Sequence, residues 1–288
     1  MRCLRGTARR HFFLPARLFY LRNAAPEGAH ESAVNALILA AGRGRRLWPY
    51  TSERPKCLLS LGAHSILEHQ LLRLAAVGVD HVTVVAGFGL DAVRAEVCRV
   101  EVGDMTVHVV YNPFFALADN LISLWAARAE MGSDFLLLNG DNVFHPDIPR
   151  LLLEPHPAAC RLLVQRQPTY SDDDMKVRLK GGQLLRIGKK LSLRQADAAS
   201  IGMMRFTGDG AAALQRVLEE AIRSEKAFGR FYLDCVQRLA DIGISVVCQD
   251  IGNLPWVDID TPQDLQSVLQ SRQRFEREPG QMQKRERA

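Results

Sequence analysis

Leu37-Ile38-Leu39-Ala40-Ala41-Gly42-Arg43-Gly44-Arg45-Arg46-Leu47, with Pro49, Thr51 and Pro55-Lys56 behind it, is the stretch that decides how this chain reads. Its apolar opening, Ala36 to Ala40, has the length of a buried strand, and it breaks into a loop with two glycines and three arginines. Lys56 stands ten residues beyond Arg46, behind a proline that stiffens the chain and keeps Arg54 extended. Such a loop suits a polyphosphate, because glycines let backbone N–H groups approach phosphate oxygens while arginine and lysine bring positive charge. The two commoner glycine loops do not fit. A dinucleotide fingerprint needs glycine where Leu47 stands, and the next strand, Val82 to Ala86, comes too late for a compact βαβ unit. A P-loop ends in Gly-Lys-Ser/Thr, and no such run is present.

Outward from this loop the pattern alternates. Apolar runs at Val82 to Ala86, Thr106 to Val110 and Phe135 to Asn139 read as strands, and Ile66 to Val77, Asp91 to Val100 and Asp119 to Glu130 read as helices. Alternation of this kind predicts an α/β fold with a mostly parallel central sheet between two helical layers, and ligands beyond the carboxyl ends of the strands. The glycine loop and Gly140-Asp141 both follow strand ends, so both belong at that edge. Beyond Pro157 short strands are expected at Cys160 to Gln165, Met175 to Lys180, Leu184 to Ile187 and Ala199 to Phe206, the middle two joined at Gly181-Gly182. This β-rich insertion is where an acceptor is expected to be read. Helices over Asp209 to Ser224 and Arg230 to Asp241, a strand at Ser245 to Gln249 and a helix from Pro262 complete the body.

Asp141 sits at the mouth of an apolar run, where an acid needs a partner, and a divalent cation is the obvious one. A turn or helix-cap aspartate is the alternative. Asp258 and Asp260 share one face of an extended segment, while Asp260-Thr261-Pro262 also reads as a helix start.

The string Leu-Ala-Ala-Gly-x-Gly-x-Arg-Leu-x-Pro-x-Thr-x-x-x-Pro-Lys, from Leu39 to Lys56, resembles the signature of nucleotidyltransferases that join an NTP to a phosphorylated acceptor and release pyrophosphate. The run Asn120-Leu121-Ile122-Ser123-Leu124, where sugar-1-phosphate members carry a Gly-Thr-Ala turn, looks like the phosphocholine and 2-aminoethylphosphonate cytidylyltransferases, as do Asp174-Met175-Lys176-Val177, Ile187-Gly188-Lys189, Phe231-Tyr232-Leu233-Asp234 and Leu254-Pro255-Trp256. The likeness runs from about Asn35 to Leu269. It implies a Rossmann-like three-layer sandwich over residues 34–271. The nucleotide would lie along Leu39, Ala40, Ala41, Gly42, Gly44, Arg45 and Arg46, with Asn120 and Ser123 beside it.

The same resemblance implies catalytic roles for Arg46 on the β and γ phosphates and for Lys56 across the reacting phosphates. It implies Mg²⁺ held by Asp141 together with Asp260, or in second place Asp258. For the acceptor, Lys176 and Lys189 would meet its phosphate, and Tyr232 and Trp256, with Asp234 or one of Asp172 and Asp173, would take an ammonium group. The partners expected are CTP and a small phosphorylated acceptor, and the reading is compatible with a homodimer. A sugar-1-phosphate nucleotidyltransferase using UTP, dTTP or GTP is the alternative enzyme, and a catalytically silent regulatory subunit the alternative of another class. Intact Lys56, Asp141 and Asp260 speak against the last.

Composition sets the remaining bounds. The six cysteines are scattered without a Cys-x-x-Cys pair, which points to a reducing, cytoplasmic setting and away from zinc or a disulfide framework. No apolar run reaches membrane-spanning length, so no membrane insertion is expected. The net charge of +5 comes from the ends: six arginines precede Glu27 with no acid among them, and six basic residues face three acids after Ser271. The body between is net negative, which argues against a nucleic-acid partner. Residues 1–33 are acid-poor like a transit peptide but lack serine before Ser32 and are interrupted by Pro15, so they read as a disordered basic extension; residues 272–288 read as a charged tail.

Overall fold

The computed structural model describes residues 34–276, and within them each strand expected above is present. In chain order the elements are β1 (Asn35–Ala40), α1 (Ile66–Ala76), β2 (His81–Ala86), α2 (Leu90–Arg99), β3 (Thr106–Tyr111), α3 (Asn120–Ala126), β4 (Asp134–Asn139), β5 (Asn142–Phe144), α4 (Asp147–Leu153) and β6 (Cys160–Gln165). There follow β7 (Lys176–Lys180), β8 (Gln183–Ile187), β9 (Ala198–Thr207), α5 (Gly208–Ile222), α6 (Leu233–Asp241), β10 (Val247–Asp250), β11 (Trp256–Asp258), α7 (Pro262–Ser271) and α8 (Gln273–Glu276). The basic extension and the tail beyond Glu276 lie outside the described residues.

Nine strands form one sheet in the order β3-β2-β1-β4-β9-β6-β10-β8-β7. Strands β3, β2, β1 and β4 are parallel neighbours as expected, but β8 and β9 run against the rest, so the sheet as a whole is mixed, because the long β9 and the β7–β8 hairpin pair antiparallel with their neighbours. Side chains of a strand alternate between faces, and this sorts the core into two layers. Leu37, Leu39, Phe135 and Leu137 pack with Leu121 of α3, Leu214 of α5 and Val236 of α6. Ala36, Ile38, Leu136 and Leu138 pack on the other side with Leu71 of α1, Val93 of α2 and Ile148 of α4. The result is the three-layer α/β/α sandwich.

The hairpin β7–β8 extends this sheet rather than standing apart from it. Its turn places Gly181 at φ 59° and Gly182 at φ 78°, the left-handed pair that a tight hairpin requires. The start of β9 pairs with β7 through Ala198 and Ala199, and with β6 through Ala199 and Ser200, so β6, β10, β8, β7 and β9 close into a ring of hydrogen-bonded neighbours.

A third apolar cluster positions the site. Leu47, at the end of the glycine loop, packs with Leu59, Val143, Ile259, Leu265 and Val268, which joins the loop to β5, β11 and α7. Thr261 and Asp264 cap α7 reciprocally, with Pro262 in the first turn. Asp260-Thr261-Pro262 therefore does start a helix, and it does so beside the glycine loop.

Candidate active site

Strands β1 and β4 are parallel neighbours, so their carboxyl ends deliver the glycine loop and Gly140-Asp141 to the same place. Gly140 donates its N–H to the carbonyl of Leu39 at 2.9 Å, and a Cβ at Gly140 would lie 2.7 Å from the Cα of Ala40. Only glycine permits that approach. In the loop itself, Gly44 has φ 66°, and a Cβ there would press on Lys56 at 2.9 Å. Thr51 closes the loop by donating its hydroxyl to the Gly44 carbonyl at 2.8 Å. The N–H groups of Gly42, Arg43 and Gly44 donate to nothing among the described residues, which leaves them as an anion-facing row.

Antiparallel pairing of β11 with β5 sets Asp258 opposite Asn142, and Ile259 donates its N–H to the Asp141 carbonyl at 3.1 Å. Three acids then surround one buried ammonium. Lys56 Nζ lies 2.6 Å from Asp141 Oδ2 and 2.7 Å from Asp260 Oδ1. Burial works against the Lys56 charge, but Asp141, Asp258 and Asp260 together raise its pKa above the ordinary lysine value. The Asp258 carboxyl is pushed well above the carboxylate range by burial and by the charge of Asp141 against it. Asp141 goes the other way: burial opposes its ionisation, and Lys56 more than offsets that.

Asp141 Oδ1 and Asp258 Oδ1 are both buried without a hydrogen-bond partner among the described residues. Two carboxyls held together with one oxygen of each unsatisfied fit a divalent cation, which binds one or two carboxylates and completes its shell with phosphate and water oxygens. The oxygens of Asp260 are engaged by Lys56 and, at 2.7 Å, by Arg46. Of the two C-terminal acids, Asp260 was the expected first choice as metal ligand; here Asp258 is the one that stands with Asp141. The pairing of β11 with β5 carries Asp258 to Asp141, whereas Asp260, two residues on, meets the cationic side chains.

A cleft of about 680 Å³ opens over this centre. It is lined by Leu39, Ala40, Ala41, Gly42, Gly44, Arg45, Arg46, Lys56, Asn120, Ser123, Asp141, Lys189, Tyr232, Trp256, Asp258 and Asp260, which the sequence singled out separately. Several of them are already committed within the chain. Asn120 accepts from the Tyr232 N–H at 2.9 Å, Ser123 accepts from Asn112 at 3.0 Å, and the Tyr232 hydroxyl donates to Asn139 at 3.0 Å. Trp256 donates its indole N–H to Gln165 at 2.7 Å.

Two expected acceptor ligands stand elsewhere. Lys176 is 1% exposed and outside the lining; its Nζ donates to the carbonyls of Ser171 and Asp172 at 3.1 Å, bracing the loop before β7. Asp234 is likewise outside, paired with Arg230 at 3.0 Å one helical turn away. The loop that Lys176 braces supplies Ser171, Asp173 and Asp174 to the lining, and Asp119, Phe115 and Phe231 join them. Asp173 bonds both Arg46 and Lys189, the latter at 2.6 Å, and these two cations hold its carboxyl below the usual range. Of these, Asp174 and Phe231 belong to runs that carry the resemblance but have no site role in it, and Asp119, Phe115 and Ser171 have no sequence signal, because no spacing rule links them to the glycine loop.

Among the described residues, no helix is long and apolar enough to cross a membrane, and the five cysteines are unpaired with one another.

The sheet order, the glycine loop at the end of β1 and the acids at the ends of β4 and β11 define an α/β enzyme class that handles nucleoside triphosphates. Residues 36–198 match the MobA-like NTP transferase domain, and the chain belongs to that family of nucleotidyl-transfer enzymes. Over 127 residues it is 42% identical to CMP-5'-(3-aminopropyl)phosphonate synthase of Streptomyces rubellomurinus, a match that covers 44% of this chain and 20% of that protein. Over 239 residues it is 31% identical to the bifunctional IPC transferase and DIPP synthase of Rubrobacter xylanophilus, covering 81% of this chain and 50% of that protein. The chain thus spans half or less of the length of these two relatives. The inositol-1-phosphate CTP transferase of T. maritima has the same fold, with a TM-score of 0.71 at 22% identity over 84% of this chain and 95% of that one.

Proposed function

We propose that this chain is a Mg²⁺-dependent cytidylyltransferase, which moves CMP from CTP to a small phosphonate or phosphorylated alcohol and releases pyrophosphate. The observation that carries the reading is the buried centre where Lys56 lies between Asp141 and Asp260 while Asp141 and Asp258 each keep one oxygen unsatisfied. Within a nucleotidyltransferase family, that is an arrangement for neutralising charge around a transferring phosphoryl group. The relative from Streptomyces rubellomurinus, named for a CMP-aminoalkylphosphonate product, supports CTP and a phosphonate.

In this reading the row of N–H groups from Gly42 to Gly44 and the Arg46 guanidinium receive the β and γ phosphates. An oxygen of the acceptor phosphonate or phosphate is already anionic near neutral pH and attacks the α-phosphorus in line. The new P–O bond forms as the bond to the β-phosphate oxygen breaks, and the electron pair leaves with pyrophosphate. Lys56 balances the charge that gathers across the reacting phosphates, so positioning and electrostatics carry the step without a covalent enzyme intermediate. Asp141 and Asp258 would hold a divalent cation, which when bound would supply further positive charge to the triphosphate. Lys189 meets the acceptor phosphate. Asp119, Asp173 and Asp174, with Phe231 and Trp256, form an acidic and aromatic end that favours an acceptor with an ammonium group.

Pyrophosphate release from each of the four NTPs, paired with 2-aminoethylphosphonate, 3-aminopropylphosphonate, phosphocholine, inositol phosphate and glucose-1-phosphate, tests this. CTP with an amine-bearing acceptor is the expected combination. Turnover of UTP or dTTP with glucose-1-phosphate, and none of CTP with the others, transfers the chain to the sugar-nucleotide branch.

A further inference from the structure

The middle of α1 holds an anomaly. Leu67, Leu71 and Leu74 face the sheet and are fully buried, as an amphipathic helix demands, yet Gln70 among them is fully buried as well. Leaving an amide in an apolar layer is costly unless it is hydrogen-bonded. Gln70 Nε2 donates to the Asn139 carbonyl at 2.9 Å and to the Asn142 carbonyl at 2.8 Å. Both partners can only accept, so the NH₂ end of the amide must face them; the flipped amide would set an oxygen against two carbonyls. Its own Oε1 is buried without a partner among the described residues. An amide that leaves one of its polar atoms unsatisfied in a leucine layer is a poor device for stability alone.

The two carbonyls it grips stand on either side of Gly140-Asp141. The rest of that turn is held from three other elements. Gly140 donates to Leu39 at the end of β1, the Asp141 carbonyl accepts from Ile259 behind β11, and the Asn142 side chain donates to the Ile201 carbonyl in β9. Gln70 is the contribution of α1, and it holds the carbonyls two residues before and one residue after Asp141, which presents its carboxylate to Asp258.

We propose that Gln70 is the positioning residue of the carboxylate pair: by clamping the carbonyls of Asn139 and Asn142 it aims Asp141 at the cation shared with Asp258. The proposal rests on the metal reading given above. It assigns Gln70 no contact with nucleotide or acceptor.

The test uses the full chain and Mn²⁺ as probe, with the free ion counted by electron paramagnetic resonance in the absence of nucleotide, which would chelate the ion itself. Gln70→Met keeps the volume and removes both donors; Gln70→Asn keeps the amide one methylene too short to span both carbonyls, and serves if the first variant does not fold. Loss of a residue that orients a metal ligand typically costs 10–100-fold in metal affinity or activity. Both variants are therefore expected to weaken Mn²⁺ binding by about ten-fold or more, with the KM for CTP at saturating metal within about two-fold of wild type. Leu71→Ala, which loses packing on the same face, lowers the melting temperature and leaves Mn²⁺ affinity unchanged. Wild-type Mn²⁺ affinity in the Gln70 variants, or an equal loss in Leu71→Ala, overturns the proposal, as does Mn²⁺ binding that survives Asp141→Asn. If wild-type chain binds Mn²⁺ through Asp141 and Gln70 but transfers no nucleotide, the positioning role stands and the proposed reaction falls.

Discussion

The two ends of the cleft are built differently. At the proposed nucleotide end, parallel strands β1 and β4 bring their carboxyl ends together, and the central ion pair is sunk, with the Lys56 side chain 11% exposed and that of Asp141 26%, while Arg46 on the rim stays half exposed. At the acceptor end, Lys189 and Asp173 sit on loops around β7 and β8, at 38% and 54%. A buried ion pair has few ways to rearrange, and removing one partner strands the other in a medium of low polarity. An exposed pair is screened by water and contributes little to holding the fold. In the proposed reading, the first end is the rigid part of the cleft, and substitutions at the second carry the smaller structural cost.

The sharpest break in that contrast comes from Asp141→Asn. It removes charge at a preformed site without changing volume, so kcat should fall by about a thousand-fold, the upper range for loss of a preorganised electrostatic group; because Lys56 keeps Asp260 as a partner and Asp258 is relieved of the charge of Asp141, the melting temperature should stay near wild type. Pyrophosphate release within a few-fold of wild type would remove Asp141 from the reaction. Lys56→Ala comes next. We expect kcat to drop by about a hundred-fold with little change in the KM for CTP, together with a loss of about 3–5 kcal/mol of stability from the stranded acids. A variant that only raises the KM would mark Lys56 as a simple binding residue.

At the acceptor end the effects shrink. Lys189→Ala should raise the acceptor KM by about ten-fold, the value of one charge-assisted contact, and leave CTP and stability untouched; an equal rise for CTP would place Lys189 on the triphosphate. Asp173→Asn frees both Arg46 and Lys189 of a partner, and a few-fold change in either KM is expected. The useful quantity is the ratio between an amine-bearing acceptor and its hydroxyl analogue, which should shrink if Asp173 meets the ammonium group.

The smallest effect at neutral pH is one on stability alone. Burial, aided by the charge of Arg73, pushes the His69 imidazole down to about 3. Between that value and the unfolded value of about 6.5, only the unfolded chain takes up the proton, so the contribution is complete above pH 6.5 and fades by about 1.4 kcal/mol per pH unit on acidification. Urea unfolding of wild type and His69→Gln at pH 4.5 and 7.5 checks this; the variant should lose less on going to acid.

The same contrast explains what was legible in the sequence. The nucleotide end is written in contiguous letters from Leu39 to Lys56, because one strand and its loop supply most of the chemistry. The acceptor end is gathered from β7, β8, α3 and the loop before α6, and no spacing announces that. Lys176 looked like its neighbour Lys189, but burial turned it into a brace for Ser171 and Asp172. Asp258 and Asp260 were equivalent by alternation, and only the register of β11 on β5 separated them. Helix α4 has no legible signal in the sequence, because Pro146 precedes and Pro149 falls within its seven residues, where proline reads as a turn; Pro149 lies in its first turn, which tolerates it. Strand β5 is three residues long, below any periodic signal. Gln70 was one polar letter in an apolar helix.

The pairing of β11 with β5 joins segments more than a hundred residues apart in the chain. During synthesis the glycine loop, Lys56 and Asp141 leave the ribosome well before Asp258 and Asp260 exist, and a domain completes its folding only when its distant segments meet. A growing chain that has reached Asp250 carries the cations that attract nucleotide but lacks the second carboxyl. The register of β11 on β5 therefore makes closure of the acid pair a late event in synthesis: the second carboxyl reaches Asp141 only after the main sheet has been made.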